Sequence, residues 1–251
     1  MTLKFIKFTA LILVFLSCHQ PNPTNKANNQ QISVDSLLEE NSEIESFIMP
    51  YKQQLEKSVS EILCFSLNTH TKKQGLLNTA IGNMMADAVF ELSAPILKKQ
   101  YNLDLDMVLL NHGGIRSDLP SGPIRIETAF NIMPFENKVV VAKMRGSAVM
   151  DMVDYLIKDK RAHPISGIEL QITKDGKLEK LRIQKKLLNP KKNYKVATND
   201  YLFNGGDQMD FFKKSDTLFR LDYKIRNLLI DYFSKKDTLN PKRDERFIYV
   251  N

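Results

Sequence analysis

The chain has little of what several common kinds of site require. Among its 251 residues there are only two cysteines, Cys18 and Cys64, so no disulfide framework is available. Histidine is equally sparse: His19, His70, His112 and His163 stand singly. Zinc and two-metal hydrolytic centres need clustered His and carboxylate ligands, and no such cluster is spaced along this sequence. There is no Gly-x-x-x-x-Gly-Lys-Ser/Thr loop for phosphate, no dinucleotide fingerprint and no Gly-x-Ser-x-Gly nucleophile elbow. The apolar run Phe8 to Leu16 is far shorter than the ~20 residues of a membrane span.

What is present is an ordinary globular composition, 43% hydrophobic and 26% charged. That supports a packed core over most of the length. The formal charge is +7, spread widely but denser between Lys174 and Lys195. No aromatic interleaving or reader motif accompanies it, so a solvated basic face is expected and nucleic acid is not an expected partner.

The N-terminus, "MTLKFIKFTALILVFLSC", has the proportions of a secretory signal: Lys4 and Lys7, an apolar run, then Ser17-Cys18. Ending at a cysteine, it resembles a bacterial lipoprotein signal over residues 1–17, with Cys18 as the lipidated residue. Phe15 departs from the usual Leu of that pattern. Loss of Lys4 and Lys7 with the signal lowers the formal charge from +7 to +5. Cys64, in the apolar context "EILCFSL", is then expected as a buried small hydrophobe. Residues 18–45 are rich in Asn, Gln, Pro and Ser and read as a flexible tether. As a coil, that segment reaches roughly 30 Å. The localisation expected is export to the cell envelope, periplasmic or cell-surface, held to the membrane by lipid.

Residues 46–251 carry the folded pattern. Ile48, Tyr51, Leu55, Val59 and Ile62 recur at spacings of three and four and predict an amphipathic helix. "LCFSL" reads as a strand. "NTAIGNMMADAVFEL" predicts a helix capped by Asn78 or Thr79, with Pro95 ending or kinking it. Its Gly82 costs about 1 kcal/mol against Ala and implies a close neighbour. Strands follow at Met107–Leu110, "NKVVVAKM" and "NYKVATND", with helices in "ETAFNIMPF" and after Gly146. "GIELQIT", Asp175-Gly176 and "KLEKLRI" signal a β-hairpin. "FRLDYKIRNLLIDYFSK" predicts one long late helix, and "RFIYV" a last strand. The fold class is α/β (α+β), with a layered mixed sheet.

Two loops share one grammar. "VLLNHGGIR" and "YKVATNDYLFNGGD" each end a strand on Gly-Gly with polar side chains beside it: Asn111 and Arg116 in the first, Asn204 and Asp207 in the second. Paired glycines allow positive φ and close approach of a ligand to the backbone. Tight turns explain such loops as well as binding does. Asn111-His112 lacks the flanking Gly and acid of a metallophosphatase Asn-His, and no Asp-x-His partners it.

The ordered motifs "IGNMMADAV", "LLNHGGIR", "MPFENKVVVAKMRGSAVMDMVDY", "YKVATNDYLFNGGDQMDFF" and "KIRNLLIDYF" resemble the C-terminal, substrate-binding domain of the 5′-nucleotidase and UDP-sugar hydrolase family, from about Phe47 to Val250. The resemblance implies that domain's fold and a nucleoside clamp. Asn111 would contact the base, and Gly113 and Gly114 the ribose. Arg116 would meet phosphate, whose oxygens suit a guanidinium fork. Phe135 and Tyr201, the latter where Phe is common, would stack on the base. Asp207 would accept the ribose hydroxyls. The family's motif reads Asn-Gly-Gly-Gly-Ile-Arg, so His112 replaces its first glycine, at some cost if that position needs positive φ. A further phosphate-binding Arg is missing from "KKQGLLNTAIGN", where Lys72 or Lys73 stands nearby.

The resemblance implies a role in nucleotide catabolism. In relatives this domain follows a metallophosphatase domain with two metal ions. Here no cofactor is expected in the chain itself, and two divalent metals are expected in a separate phosphatase polypeptide. The alternative is a stand-alone exported lipoprotein that captures nucleosides or nucleotides without catalysis.

Overall fold

A computed structural model describes residues 31–35 and 38–251. The expected signal, Cys18 and most of the expected tether lie outside the described residues. Met49–Asn251 forms one compact unit. Helix α1 (Ser42–Val59) starts earlier than its apolar spacing predicts. The Asn41 side-chain oxygen accepts from the Glu43 and Ile44 N–H groups and caps it. No residue of α1 is buried, and Ile62 belongs to the following strand.

The rest of the chain runs in order through β1 (Ile62–Ser66), α2 (Ala80–Tyr101), β2 (Met107–Leu109), β3 (Gly122–Arg125) and α3 (Ile126–Ile132). Next come β4 (Lys138–Arg145), α4 (Gly146–Asp159), β5 (Ile165–Ser166), β6 (Ile168–Thr173), β7 (Leu178–Ile183) and β8 (Lys186–Leu187). The chain closes with β9 (Asn193–Asn199), α5 (Asp200–Phe203), β10 (Thr217–Lys224), α6 (Ile225–Ser234), β11 (Thr238–Leu239) and β12 (Phe247–Val250). The strands form three sheets, ordered β11-β1-β3, β10-β4-β9-β2-β5 and β12-β6-β7-β8. The class is mixed α/β, with parallel and antiparallel pairs in each sheet.

The five-stranded sheet is covered on both faces. Val108, Val139, Val141 and Ala197 pack with Ile81, Met85 and Val89 of α2 and Leu228, Leu229 and Phe233 of α6. Met107, Leu109, Ala142, Met144 and Val196 pack instead with Val149, Met152, Val153 and Leu156 of α4. Burial on both faces explains why β2 and β4 are continuous apolar runs rather than alternating ones. Cys64 lies in the first of these clusters, free and 3% exposed, and burial pushes its thiol up to about 11.

Two expectations are corrected. Pro95 does not end α2, which continues to Tyr101 and stops at Asn102 in a left-handed conformation (φ 55°). Leu97, beyond the proline, is fully buried, and burying that side chain, worth about 1.5–3 kcal/mol, counters an interior proline's cost of about 3 kcal/mol. "FRLDYK" is strand, not helix. Phe219, Leu221, Tyr223 and Ile225 alternate, and the chain pairs antiparallel with β4 before period 3.6 begins at Ile225. Thr79, rather than Asn78, caps α2 by accepting from the Gly82 N–H at 3.1 Å. A side chain at Gly82 would meet that hydroxyl at 2.9 Å and Pro164 at 3.6 Å.

Candidate functional site

Topology brings the two Gly-Gly loops together. β2 and β9 are parallel neighbours, with Met107 opposite Val196 and Val108 opposite Ala197. Their C-terminal ends therefore emerge at the same sheet edge, where ligands of α/β sheets commonly bind. β4 is antiparallel to β9, with Val139 opposite Asn199, so its N-terminal end reaches that edge too. Residues 111–116, 134–137 and 200–208 thus converge from three separate parts of the chain.

The centre of this edge is Asp207. Its Oδ2 accepts from the Asn111 amide at 2.8 Å, and its Oδ1 accepts from the Tyr201 hydroxyl at 2.9 Å. Its backbone N–H donates to the same hydroxyl oxygen at 3.3 Å, and its carbonyl accepts from the Tyr155 hydroxyl at 2.9 Å. Asp207 has φ 51° and ψ 26°, a left-handed conformation that Asp tolerates better than most residues. The hydrogen bond to Asp207 is the main cause that raises the Tyr201 pKa.

Of these four glycines, Gly114 and Gly206 have no room for a side chain and Gly205 uses positive φ. Gly113 and Gly114 are not in the left-handed region; they form a short 3-10 turn with His112. A methyl group at Gly114 would lie 2.8 Å from the Asn111 side-chain oxygen. One at Gly113 would face Asn111 at 3.5 Å and Asp207 at 3.8 Å. In the second loop Gly205 does use positive φ (94°), whereas Gly206 lies under the Tyr201 ring. A side chain there would meet the ring at 2.5 Å.

The rim carries the remaining residues. The Arg116 guanidinium stands 5.9 Å from the Phe135 ring centroid, and its Nη1 lies 3.4 Å from the Gly113 carbonyl. Phe135 is 41% exposed and Tyr201 46%, so both rings offer surface to a ligand. Lys72 donates to the Ile115 carbonyl at 2.7 Å, next to Arg116. Its pKa is lowered, first by burial and then by the Arg116 charge. Lys73 is exposed. All seven residues that the motifs single out, Asn111, Gly113, Gly114, Arg116, Phe135, Tyr201 and Asp207, therefore lie along one edge. Among the described residues no group of three or more His, Cys, Asp or Glu is placed to hold a metal ion.

His112 has ordinary backbone angles, so the strain expected at a displaced glycine does not arise. Its N–H donates to His163 Nδ1 at 3.2 Å, and its own Nδ1 lies 3.2 Å from the Ala162 carbonyl. His163 is 1% exposed, and its Nε2 stands 2.6 Å from Asp159. Accepting at Nδ1 and donating at Nε2 fixes it as the neutral Nε2–H tautomer. Burial is the largest cause lowering its pKa, and Asp159 opposes it.

Three supporting residues give no sequence signal of their own. Tyr155 lies on α4 among core positions, and only its hydroxyl reaches the site. His163 stands isolated in the sequence. Arg226, 8% exposed on α6, donates to the Pro134 carbonyl at 3.0 Å, pairs with Glu136 and lies against the Phe130 ring. It fixes the turn that presents Phe135, and Lys138 N–H joins that turn to Asp200 at 3.1 Å.

Comparison with known proteins gives a consistent answer. The family model described as 5′-nucleotidase, C-terminal domain, matches residues 59–214. The chain is 26% identical over 222 residues to the trifunctional nucleotide phosphoesterase protein YfkN of Bacillus subtilis, covering 80% of this chain and 15% of that protein. It is 29% identical over 180 residues to protein UshA of Escherichia coli, covering 68% of this chain and 30% of UshA. Among solved structures, the 5′-nucleotidase precursor of Thermus thermophilus superposes with a TM-score of 0.69 at 18% identity, over 82% of this chain and 43% of that one. The Haemophilus influenzae NAD nucleotidase gives 0.62 at 18% identity, over 88% and 43%. The chain thus spans less than half the length of each of these proteins. The matched model covers well over half of this sequence and takes in every residue of the converged edge, so the chain belongs to the 5′-nucleotidase C-terminal domain family.

Proposed function

We propose that this chain is the nucleotide-recognition domain of a 5′-nucleotidase-type hydrolase, acting in nucleotide catabolism with a separately encoded two-metal phosphatase. One observation carries the reading. Asn111, Tyr201 and Asp207 form a hydrogen-bonded cradle, with the exposed rings of Phe135 and Tyr201 and the cation Arg116 on its rim.

In this reading a base stacks between Phe135 and Tyr201, worth roughly 1–3 kcal/mol per base. Asn111 meets the base edge with the amide hydrogen and oxygen that Asp207 leaves free. Asp207 accepts the ribose hydroxyls above Gly113 and Gly114. Arg116, with Lys72 beside it, meets phosphate oxygens. The partner's metals would supply an activated water for attack on phosphorus. This chain holds the nucleotide in register for that attack. The signal-like residues 1–17 and Cys18 support export and lipid attachment, which would keep the domain on a tether at the membrane.

The test is to mix the purified chain with the metallophosphatase encoded nearest its gene, adding divalent metal. Activity on nucleoside monophosphates from the mixture, and none from this chain alone, is expected. Hydrolysis by this chain alone, or a partner that neither binds nor gains activity, would overturn the split arrangement. In that second case, retained nucleoside binding leaves the capture lipoprotein. Loss of radiolabelled palmitate in Cys18→Ala tests the anchor.

A further inference from the structure

The Tyr201 hydroxyl has no part in stacking, which a phenylalanine would perform equally well. Its geometry gives it another task. It donates to Asp207 Oδ1 at 2.9 Å and accepts from the Asp207 N–H at 3.3 Å, so one hydroxyl ties the carboxylate to its own main chain. From the other side Asn111 donates to Oδ2 at 2.8 Å. From below, the Tyr155 hydroxyl holds the Asp207 carbonyl at 2.9 Å. Asp207 is thus fixed at both carboxylate oxygens and at its backbone, in a left-handed conformation that needs such support.

The remaining acceptor capacity follows by counting. An ionised carboxylate offers about four lone-pair positions, two on each oxygen. Tyr201 takes one on Oδ1 and Asn111 takes one on Oδ2. One position remains on each oxygen, held in a fixed orientation. Two adjacent acceptors match a donor pair in which two hydroxyls lie side by side on one ring. A ligand lacking one hydroxyl leaves one acceptor without its partner. A carboxylate free to rotate discriminates less, because it can turn to meet a single hydroxyl with either oxygen.

We infer that the Tyr201 and Tyr155 hydroxyls are positioning groups that preset Asp207 for a vicinal cis-diol, and so make this site selective for ribonucleosides over 2′-deoxyribonucleosides. The inference rests on the nucleoside reading above and adds residues and a selectivity to it. Tyr201 is then a bifunctional residue: the ring serves the base and the hydroxyl serves the sugar. The close seat of Gly206 beneath the ring keeps the two functions in register, since a ring displaced from Gly206 takes its hydroxyl away from Asp207.

The experiment is calorimetric titration of the full chain with adenosine, guanosine, cytidine and uridine, followed by the 2′-deoxy form of whichever binds tightest. Wild type, Tyr201→Phe and Tyr155→Phe are compared. Tyr201→Phe is expected to weaken the ribonucleoside about tenfold, the scale of one hydrogen bond to a charged group. It should change the 2′-deoxyribonucleoside less than about twofold, because the stacking ring is kept. Tyr155→Phe should narrow the ratio in the same direction and provides the test if Tyr201→Phe folds poorly. An unchanged ratio in both variants, an equal loss for both sugars, or a gain in ribonucleoside affinity overturns the inference while leaving the clamp intact. Wild type that binds none of the four removes the nucleoside reading, and this inference with it.

Discussion

Asn111 and Asp207 lie 96 residues apart in the chain, and the amide of one stands 2.8 Å from the carboxylate of the other. This contact joins the two Gly-Gly loops into one site, and it depends on β2 and β9 being parallel neighbours. Neither loop is complete without its partner: Asp207 has one carboxylate oxygen directed to each side.

Gly114 is expected to be intolerant of a side chain for a local reason. A methyl group there meets the Asn111 oxygen at 2.8 Å. Gly114→Ala should turn Asn111 away from Asp207 and lower nucleoside affinity about tenfold, at a stability cost of about 1–2 kcal/mol. Titration calorimetry and urea unfolding check the two numbers separately.

Gly206→Ala acts on the opposite loop. Its methyl would stand 2.5 Å from the Tyr201 ring. The ring must swing outward, so stacking and the hold on Asp207 are lost together. Binding should fall further than in Tyr201→Phe, which keeps the ring. Equal losses in the two variants would show that the ring position is immaterial.

Arg226→Ala tests how Phe135 is presented. Arg226 holds the Pro134 carbonyl and Glu136 from α6 without lying among the seven motif residues. Removing it should loosen the turn, weaken nucleoside binding severalfold and destabilise the domain by about 1–3 kcal/mol. A loss of stability with full affinity would separate the turn from the site.

The pH response follows from one buried histidine, His163, and two partly buried ones, His70 and His112. Burial lowers the pKa of His163 from its ordinary value of 6.5, and His70 and His112 shift in the same direction. As pH falls, the unfolded chain takes up protons first, so it binds more protons than the folded state. Stability should be complete above about pH 6.5 and decline as pH drops through it, towards the depressed folded values. Urea midpoints measured from about pH 8 to pH 5 check this, and His163→Asn should flatten the decline.

Much of the fold is legible in the sequence because its signals are local. The periodicity of "NTAIGNMMADAVFEL", the continuous run in "NKVVVAKM" and the Asp175-Gly176 hairpin each correspond to an observed element. Where two periods abut, as in "FRLDYK" before "IRNLLIDYF", the strand reads as part of the helix, because an edge strand needs β4 as its partner to be recognised. The seven motif residues come from ordered resemblance rather than from periodicity. Tyr155, His163 and Arg226 escape a sequence reading, because each acts through a partner 50 or more residues away. Neither Gly113 nor Gly114 uses the positive φ that paired glycines permit, and the crowding of Asn111 by a side chain at Gly114 is visible only in three dimensions.

The most direct test of nucleoside recognition at this edge is titration of adenosine and AMP into wild type, Phe135→Ala and Asp207→Ala. The clamp predicts saturable binding to wild type, with loss of about tenfold or more in each variant. Equal affinity in all three proteins would contradict it.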